Sequence, residues 1–254
     1  MCKNPQSKSE PLRHLGGRLL DLLYPPLCEL CGEGLKNGRA LCGACSEDLP
    51  RLRLPFCKSC GEAFEGEIDG EFTCPNCATL EFSFEFARSA LVRDSRSLDL
   101  IHRLKYGREV HLAAELGWLG AEAFEDPRLA PALLGNWPLV PVPLHRKRQQ
   151  GRHFNQAEEL ARALSHHTNL PLLDALLRHR STETQTLLTR KQRLENLRGA
   201  FSLSTQGRRW VKKFPVGAIL IDDVLTTGST VDECAKTLRL GGFQKVIVVT
   251  IMRG

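Results

Sequence analysis

The chain has 254 residues, 42% of them hydrophobic, so it can build one large domain or two smaller ones around a full core. No apolar stretch approaches the ~20 residues of a membrane-spanning helix, and the polar start Met1–Glu10 lacks the apolar core of a secretion signal. The formal net charge of +6 is unevenly spread, as described below. We therefore expect a cytoplasmic protein without membrane insertion, in which thiols stay reduced.

The N-terminal part is a lead-in, residues 1–27, followed by a cysteine-rich region. Leu15–Leu27 is partly apolar, but it is short and is interrupted by Arg18, Asp21 and two prolines. Eight of the ten cysteines then form four C-x-x-C pairs in two matched sets. The pairs are Cys28/Cys31, Cys42/Cys45, Cys57/Cys60 and Cys74/Cys77.

Closely paired thiols in a chain without a signal peptide are typical of metal ligands. We predict a tandem zinc ribbon over residues 28–80, in which each Zn²⁺ has four thiolate ligands and no open position, so its role is structural. Sequential pairing is the simplest arrangement, and an interleaved cross-brace is the alternative. The region from Cys28 to Cys77 carries nine acids against five bases, which argues against a phosphate-binding surface and favours docking or support.

A second domain is predicted over residues 81–254, because the cysteines stop and aromatic alternation begins at Phe82, Phe84 and Phe86. Hydrophobic periodicity predicts the first three elements of this domain. They are a strand at Phe86–Val92 and helices at Leu98–Tyr106 and Val110–Phe124.

A basic region follows a short apolar segment, Leu139–Val142, in which Pro141 disfavours a central strand. Residues His145–Lys213 contain fifteen Lys and Arg against five acids. The first basic loop, His145–Arg152, precedes a predicted helix at Phe154–Leu164. A basic loop at the carboxyl end of a strand suits a pyrophosphate, and strand, loop and helix together make half of a parallel βαβ unit.

Two further segments complete the domain. Arg178–Phe201 is polar, basic and rich in Thr and Gln, which predicts a mobile loop or a hood over a site. A last strand is expected at about Val246–Ile251, after the helix-terminating pair Gly241-Gly242.

The most specific pattern is a buried-strand sequence that leads into two acids and a short hydroxyl-rich loop before a helix. Ligands of open α/β sheets bind just past such strand ends. The acids can accept hydrogen bonds from ribose hydroxyls, and the loop and helix N-terminus can hold a phosphate. The predicted site residues are Asp222, Asp223, Val224, Leu225, Thr226, Thr227, Gly228, Ser229 and Thr230.

This segment resembles the PRPP-binding signature of type I phosphoribosyltransferases. Three further features make the chain similar to the ComF family: the cysteine ribbon, the basic stretch Val140–Ala157 and the T-Q-T-x-L-x-x-x-x-R run Thr184–Arg193. The resemblance implies an α/β type I phosphoribosyltransferase fold, a parallel sheet flanked by helices, preceded by the small four-cysteine zinc-ribbon module. It also implies a link to natural competence, the uptake and use of external DNA.

The resemblance implies roles for individual residues if the chain is a working transferase. Asp222 and Asp223 are the expected catalytic carboxylates and hold the ribose of PRPP directly or through Mg²⁺. Arg148 and Arg152 are candidates for the pyrophosphate, with Lys105 a weaker one. Thr226 stands where hypoxanthine-type enzymes have an Asp that exchanges a proton with the base, so a purine acceptor is not supported.

The acceptor is unknown, and alternatives to catalysis remain. The fold could bind PRPP or another nucleotide without turnover, or serve as an adaptor that binds single-stranded DNA or competence proteins. The basic segment favours electrostatic binding of DNA, but aromatic residues for base stacking are scarce in it. A zinc-dependent scaffold with a vestigial motif is a third interpretation, which the intact acids and loop disfavour.

Overall fold

A computed structural model of the chain describes residues 26–35, 38–68, 70–145, 151–180, 197–214 and 216–254. The chain forms two compact units, Met1–Leu49 and Pro50–Gly254. The first four-cysteine set lies in the first unit, and the second set belongs to the same unit as the sheet described below. The predicted domain boundary near residue 80 was drawn where the cysteines stop, whereas the two compact units meet between Leu49 and Pro50. The boundary near residue 80 stays a prediction.

In the first unit the chain reverses direction in a turn that begins at Cys28. Leu27 and Gly34 form an antiparallel bridge, and the Gly32 N–H donates to the Cys28 carbonyl at 2.8 Å. Gly32 has a φ of 75°, a left-handed conformation that glycine adopts without a steric cost. A short helix, α1 (Gly43–Glu47), follows, and its N-cap is Cys42.

The second unit contains a four-stranded parallel sheet and a separate two-stranded antiparallel sheet. The strands are β1 (Ala87–Val92), β2 (Leu139–Pro141), β3 (Leu176–Arg178), β4 (Phe201–Leu203), β5 (Ala218–Leu225) and β6 (Val246–Arg253). In the parallel sheet the strand order is β1-β6-β5-β2, and the antiparallel sheet pairs β3 with β4.

Helices flank the parallel sheet, as the βαβ pattern predicts. The α-helices of this unit are α2 (Pro75–Ala78), α3 (Ser95–Tyr106), α4 (Leu112–Ala121), α5 (Ala130–Leu134), α6 (Gln156–Thr168), α7 (Thr205–Lys213) and α8 (Ser229–Leu240). Asp94 and Ser97 form a reciprocal capping box at the start of α3, and the Asn155 side chain caps α6. Two 3₁₀ turns, Glu122–Glu125 and Pro127–Leu129, connect α4 to α5.

The central strands β5 and β6 carry most of the core. Every residue of β6 is buried, as expected for a strand that is covered on both faces of a parallel sheet. On one face Ala218 and Leu220 of β5 pack in the same cluster as Cys234 and Leu238 of α8. On the other face α4 approaches closely: a Cβ added to Gly120 would lie 2.5 Å from Ile251.

The second ribbon is hydrogen-bonded to the edge strand of the sheet. The Ala87 N–H donates to the Ser59 carbonyl at 2.9 Å, and the Leu52 N–H donates to the Ala90 carbonyl at 2.8 Å. Gly61 is packed against β1 so closely that a Cβ there would lie 3.2 Å from the Ala87 carbonyl oxygen. This ribbon is therefore a structural part of the sheet's edge.

The predicted α/β fold class is confirmed, with local corrections. The α6 helix begins at Gln156 rather than Phe154, because the Asn155 cap fixes its start. Regular α-helix ends at Ala121, and 3₁₀ geometry takes over before Phe124. As Pro141 suggested, β2 is a short edge strand of the described sheet. Among the described residues, no helix has the length and apolar character needed to cross a bilayer.

Candidate functional site

Two four-cysteine clusters form, and both use the sequential pairing. In each cluster the four Sγ atoms lie within 4.8 Å of one another, which suits one tetrahedral Zn²⁺. The first cluster is partly exposed, whereas all four members of the second are buried. The clusters are Cys28, Cys31, Cys42 and Cys45, and Cys57, Cys60, Cys74 and Cys77. They support structural Zn²⁺ at both places.

The second cluster repeats the turn of the first. The Cys57 N–H donates to the Glu62 carbonyl at 2.8 Å, and the Gly61 N–H donates to the Cys57 carbonyl at 2.8 Å. The corresponding bonds in the first ribbon run from Cys28 to Glu33 and from Gly32 to Cys28. A backbone N–H also points at sulfur in both, for example from Cys74 to Cys57 Sγ at 3.3 Å. The two ribbons are thus one motif used twice.

The loop between β5 and α8 forms an anion-sized recess. Gly228 has a φ of 75° and is the N-cap of α8, where no side chain caps the helix. The first N–H groups of α8 therefore have no side-chain acceptor there, and such groups bind anions well. Thr227 and Ser229 are joined through their hydroxyls at 3.1 Å. A cavity of about 50 Å³ is bounded by this loop together with Asp222 and Val224.

The two acids lie inside β5, not after it. The sequence predicts that the strand ends where the acids begin, but β5 continues to Leu225 in register with Arg253 of β6. Side chains alternate along a strand, so Asp222 and Asp223 point to opposite faces of the sheet. Asp222 shares the α8 face with Ala218 and Leu220 and borders the loop cavity. The two carboxylates therefore lie on different faces of the sheet, and Asp222 is the one beside the cavity.

Asp223 faces a lysine from α3. The Lys105 Nζ lies 2.8 Å from Asp223 Oδ2, so the two side chains form an ion pair. The angles at this contact are not those of a hydrogen bond. Asp223 is only 4% exposed, and the Lys105 side chain is 18% exposed. A carboxylate so deeply buried requires a nearby positive charge. Lys105, predicted as a weak pyrophosphate candidate, is thus placed against a carboxylate; its contact with pyrophosphate stays a prediction.

Asp222 is held in an environment that disfavours its charge. Burial first, and then the neighbouring Asp223 carboxylate, raise the pKa of Asp222 to about 7, although Lys105, the Asp223 N–H and Arg178 act in the opposite direction. The Asp223 N–H donates to Asp222 Oδ1 at 3.0 Å. A divalent cation would relieve this repulsion, and Mg²⁺ prefers one or two carboxylate oxygens with phosphate oxygens and water. The donor set therefore fits the Mg²⁺ that the resemblance implies.

The raised pKa of Asp222 predicts a pH dependence of stability. In the unfolded chain the carboxyl has a pKa near 3.8, so the folded form binds the proton more tightly and the stability falls as the pH rises from about 4 to 7. Above pH 7 the effect is complete. We expect Asp222→Asn to raise the free energy of unfolding at pH 8 by ~2 kcal/mol, about half of the ideal value because the group is partly exposed.

Urea unfolding of the ligand-free chain at pH 5 and pH 8 measures this effect. The gain from Asp222→Asn is expected to be small at pH 5 and larger at pH 8. Asp99→Asn provides the control, because Asp99 is an exposed acid on α3. Its effect on the free energy of unfolding should be the same at the two pH values. An equal gain from Asp222→Asn at both pH values would contradict the assignment.

Of the three cations predicted to contact pyrophosphate, the structure describes Lys105 and Arg152. Arg152 lies with its guanidinium 4.8 Å from the Tyr106 ring centroid, and its Nη1 donates to Gln156 Oε1 at 3.1 Å. Tyr106 follows Lys105 on α3, so two of the three candidate cations come to the same end of this helix. Arg148 and the Thr184–Arg193 run lie outside the described residues.

Two residues near the loop, Arg253 and Phe82, were not predicted as site residues from the sequence. Arg253 ends β6 and is 9% exposed; its Nη1 donates to the Leu225 carbonyl at 2.9 Å, and its Nη2 contacts Glu62 and lies 3.8 Å from Cys60 Sγ. Phe82 packs against both the sheet core and the second cluster. A charged residue at the end of a strand beside β5 is a usable sequence signal for Arg253, because neighbouring parallel strands end at one edge.

Comparison with known proteins gives a consistent set of relatives. The sequence model of the double zinc ribbon domain matches residues 19–78. Competence protein F of Haemophilus influenzae is 31% identical over 224 residues, 86% of this chain and 91% of the relative. DNA utilization protein YhgH of Escherichia coli is 32% identical over 238 residues, 91% of this chain and 99% of the relative. Competence protein ComFC of Bacillus subtilis is 24% identical over 216 residues, 80% of each chain.

Among solved structures, one titled as the allosteric regulatory enzyme of purine biosynthesis matches 54% of this chain and 25% of its own. It is 18% identical, with a TM-score of 0.33, a likeness too remote to carry an argument about function.

Proposed function

The chain belongs to the ComF family, and from that premise we propose that it binds PRPP with magnesium and acts as a phosphoribosyltransferase in the handling of external DNA. The names of its relatives, competence and DNA utilization proteins, support the biological context. One observation carries the chemical part. The Asp222 carboxylate and the hydroxyl-rich loop border the same cavity, at a helix start that no side chain caps.

Each part of PRPP has a matching group in the proposal. The 5′-phosphate takes the loop Thr226–Thr230 and the N–H groups at the start of α8. Asp222 orients the ribose hydroxyls, and Asp223, paired with Lys105, fixes the neighbouring backbone. Asp222, which borders the cavity, is the residue that would hold Mg²⁺, and the ion would neutralise charge on the pyrophosphate. Arg152, together with Arg148, is the proposed guanidinium contact to the leaving group.

In the transfer step the C1′–O bond to pyrophosphate breaks, and pyrophosphate leaves with the electron pair. A bond forms from the acceptor to C1′, and the acceptor loses a proton. Negative charge grows on pyrophosphate as the bond breaks, so cationic groups there stabilise the transition state more than the substrate.

The test is calorimetric titration of the zinc-loaded chain with PRPP and Mg²⁺. We expect saturable binding by the wild type and a loss of affinity of roughly 100-fold or more in Asp222→Asn/Asp223→Asn. The variant loses both the Asp222 contact to the ligand and the Lys105–Asp223 ion pair that fixes the neighbouring backbone. Asp99→Asn, on the exposed side of α3, is the matched control and should bind as the wild type does. Zinc content is measured for all three proteins.

The outcome separates the proposal from a purely structural motif. If wild type and double variant bind PRPP equally, or neither binds it while both retain two zinc ions, the sugar-phosphate site is not at these acids.

A second candidate function, binding of single-stranded DNA without turnover, is favoured by the surface of α7. Four exposed cations lie on this helix and Phe214 follows it, 43% exposed. Lys213 Nζ lies 5.1 Å from the Phe214 ring centroid. The cations are Arg208, Arg209, Lys212 and Lys213. A cationic surface with an aromatic side chain suits a nucleic-acid strand. Steeply salt-dependent DNA binding that survives Asp222→Asn would identify this function.

A further inference from the structure

A cavity of about 590 Å³ lies beside the edge strand β1, between the second ribbon and the 3₁₀ turns that connect α4 to α5. Its volume is within the ~300–1,000 Å³ range of small-molecule sites. It belongs wholly to the unit Pro50–Gly254. None of its described lining residues borders the Asp222 cavity, or the cavity of about 390 Å³ that Glu62, Phe82 and Thr226 border. It is therefore separate from the proposed PRPP site.

Two guanidinium groups share one carboxylate in this cavity. Arg128 donates to Asp126 from Nε at 3.0 Å and from Nη2 at 2.7 Å, and Arg88 Nε lies 3.5 Å from Asp126 Oδ2. The Asp126 side chain is 6% exposed and that of Arg88 is 13% exposed, so water screens these charges poorly. Two positive charges therefore meet one negative charge in a poorly solvated place.

The other charges around the cavity occur in matched sets of opposite sign. They are the ion pairs Arg51–Glu122 and Lys58–Glu71 and the exposed residues Arg53 and Glu125. None of them compensates the second guanidinium at Asp126. Among the described residues the cavity is thus left with one excess positive charge, and a buried charge requires a counter-charge.

Both arginines retain capacity for a ligand. The Arg88 Nη groups donate to the carbonyls of Ser89 and Leu52, but its buried Nε donates no hydrogen bond within the described part of the chain. Burial lowers the pKa of Arg88, Asp126 opposes this shift, and the charge of Arg128 adds to it. Arg128 is 33% exposed at its side chain and uses three of its five N–H groups, so two remain for an anion.

The rest of the cavity offers apolar surface. Leu54 is 79% exposed, and the Phe72 ring and two prolines, Pro55 and Pro127, lie around the same space. The Phe56 ring packs against Arg88, whose guanidinium carbon lies 4.5 Å from the ring centroid. Covering such a leucine with an apolar group removes its surface from water. Apolar walls with a small number of placed polar groups are the usual features of a small-molecule site.

We propose that this cavity binds a small organic acid, with its carboxylate on the Arg128 guanidinium and its apolar or aromatic body against Leu54 and Phe72. Carboxylate geometry matches the guanidinium fork. Phe72 also packs against the second cysteine cluster, and Arg128 Nη1 donates to the Lys58 carbonyl at 2.8 Å. A bound acid would therefore join the ribbon to the connection between α4 and α5. This site does not depend on the proposed PRPP binding.

The test titrates the zinc-loaded full chain with benzoate and phenylacetate, and with benzamide as the uncharged match. Binding is followed by the Nε–Hε NMR signals of the arginines and by thermal unfolding. We expect a Kd of about 1 mM or below for at least one acid. Benzamide should bind at least ~tenfold more weakly, because it lacks the charge-assisted pair. The bound acid should also raise the unfolding midpoint.

Two variants probe the two parts of the site. Arg128→Lys keeps the charge but removes the fork, and should weaken acid binding about tenfold. Leu54→Asp places a repelling charge at an exposed position and should weaken it as well, which decides the matter if Arg128→Lys does not fold. The controls are Arg239→Lys and Leu134→Asp, whose side chains do not line the cavity and should leave the affinity unchanged.

Several outcomes would overturn the proposal. Equal affinity for benzoate and benzamide would show that the guanidinium does not hold the ligand. Acetate that binds as tightly as benzoate would show that the apolar walls are not used. Absence of binding by both acids, or acid binding that neither variant weakens, would remove the site. Displacement of the bound acid by an oligothymidylate would assign the cavity to a nucleic acid instead.

Discussion

Replacing Cys60 by serine is expected to remove one of two zinc ions, destabilise the unit Pro50–Gly254 and abolish the proposed PRPP binding. The second cluster is buried and packs against Phe72 and Phe82. Arg253 joins Cys60 and Glu62 to the carbonyl of Leu225, the residue before the Thr226–Thr230 loop. We expect a loss of several kcal/mol in the free energy of unfolding, part of the ~10–16 kcal/mol that a structural zinc site supplies.

The first cluster provides the control, because it lies in the unit Met1–Leu49. Cys31 is exposed, and Cys31→Ser should also reduce the zinc content from two ions to one. Stability of the second unit and PRPP affinity should nevertheless stay near those of the wild type. Zinc by mass spectrometry, urea unfolding and PRPP calorimetry are measured together. Equal loss of PRPP affinity in both variants would contradict a specific role for the second cluster.

Lys105→Met is expected to lower the free energy of unfolding by ~3 kcal/mol, because it leaves the buried Asp223 carboxylate without its cation. The methionine side chain has similar length, so packing along α3 is largely kept. Urea unfolding at pH 7 measures the loss. Adding Asp223→Asn should recover most of it, since the orphaned charge is removed together with its partner.

An exposed ion pair between a lysine and a glutamate in the same unit is the control for this prediction. Lys58 Nζ lies 2.7 Å from Glu71 Oε2, but the two side chains are 51% and 76% exposed. Lys58→Met should therefore change the stability by no more than ~0.5 kcal/mol. A comparable loss from both lysine variants, or no recovery with Asp223→Asn, would be inconsistent with a buried ion pair at Lys105.

The local patterns of the sequence predicted much of the candidate site. The C-x-x-C spacing predicted both zinc sites, because two such pairs supply the four thiolate ligands of one ion. The motif from Asp222 to Thr230 predicted a strand, a loop and a helix in the observed order. The fold class followed from strands that alternate with helices.

The sequence did not predict which side chains surround the acids and the loop. The sequence placed both acids together after a strand, but continuation of β5 to Leu225 sends them to opposite faces. How far a strand continues depends on pairing with its neighbour, here β6, which extends to Arg253. The same pairing places Arg253 beside the loop.

The sequence by itself determined the zinc ligands, the order of strand, acids, loop and helix, and the membership in a fold class, because each is encoded by neighbouring residues. Only the tertiary structure decided that Lys105 neutralises Asp223, that the second ribbon is bonded to β1, and that Glu62, Phe82 and Thr226 border one cavity. Those contacts join residues far apart in the chain. Burial and charge pairing select them once the sheet is formed, and no local periodicity records that selection.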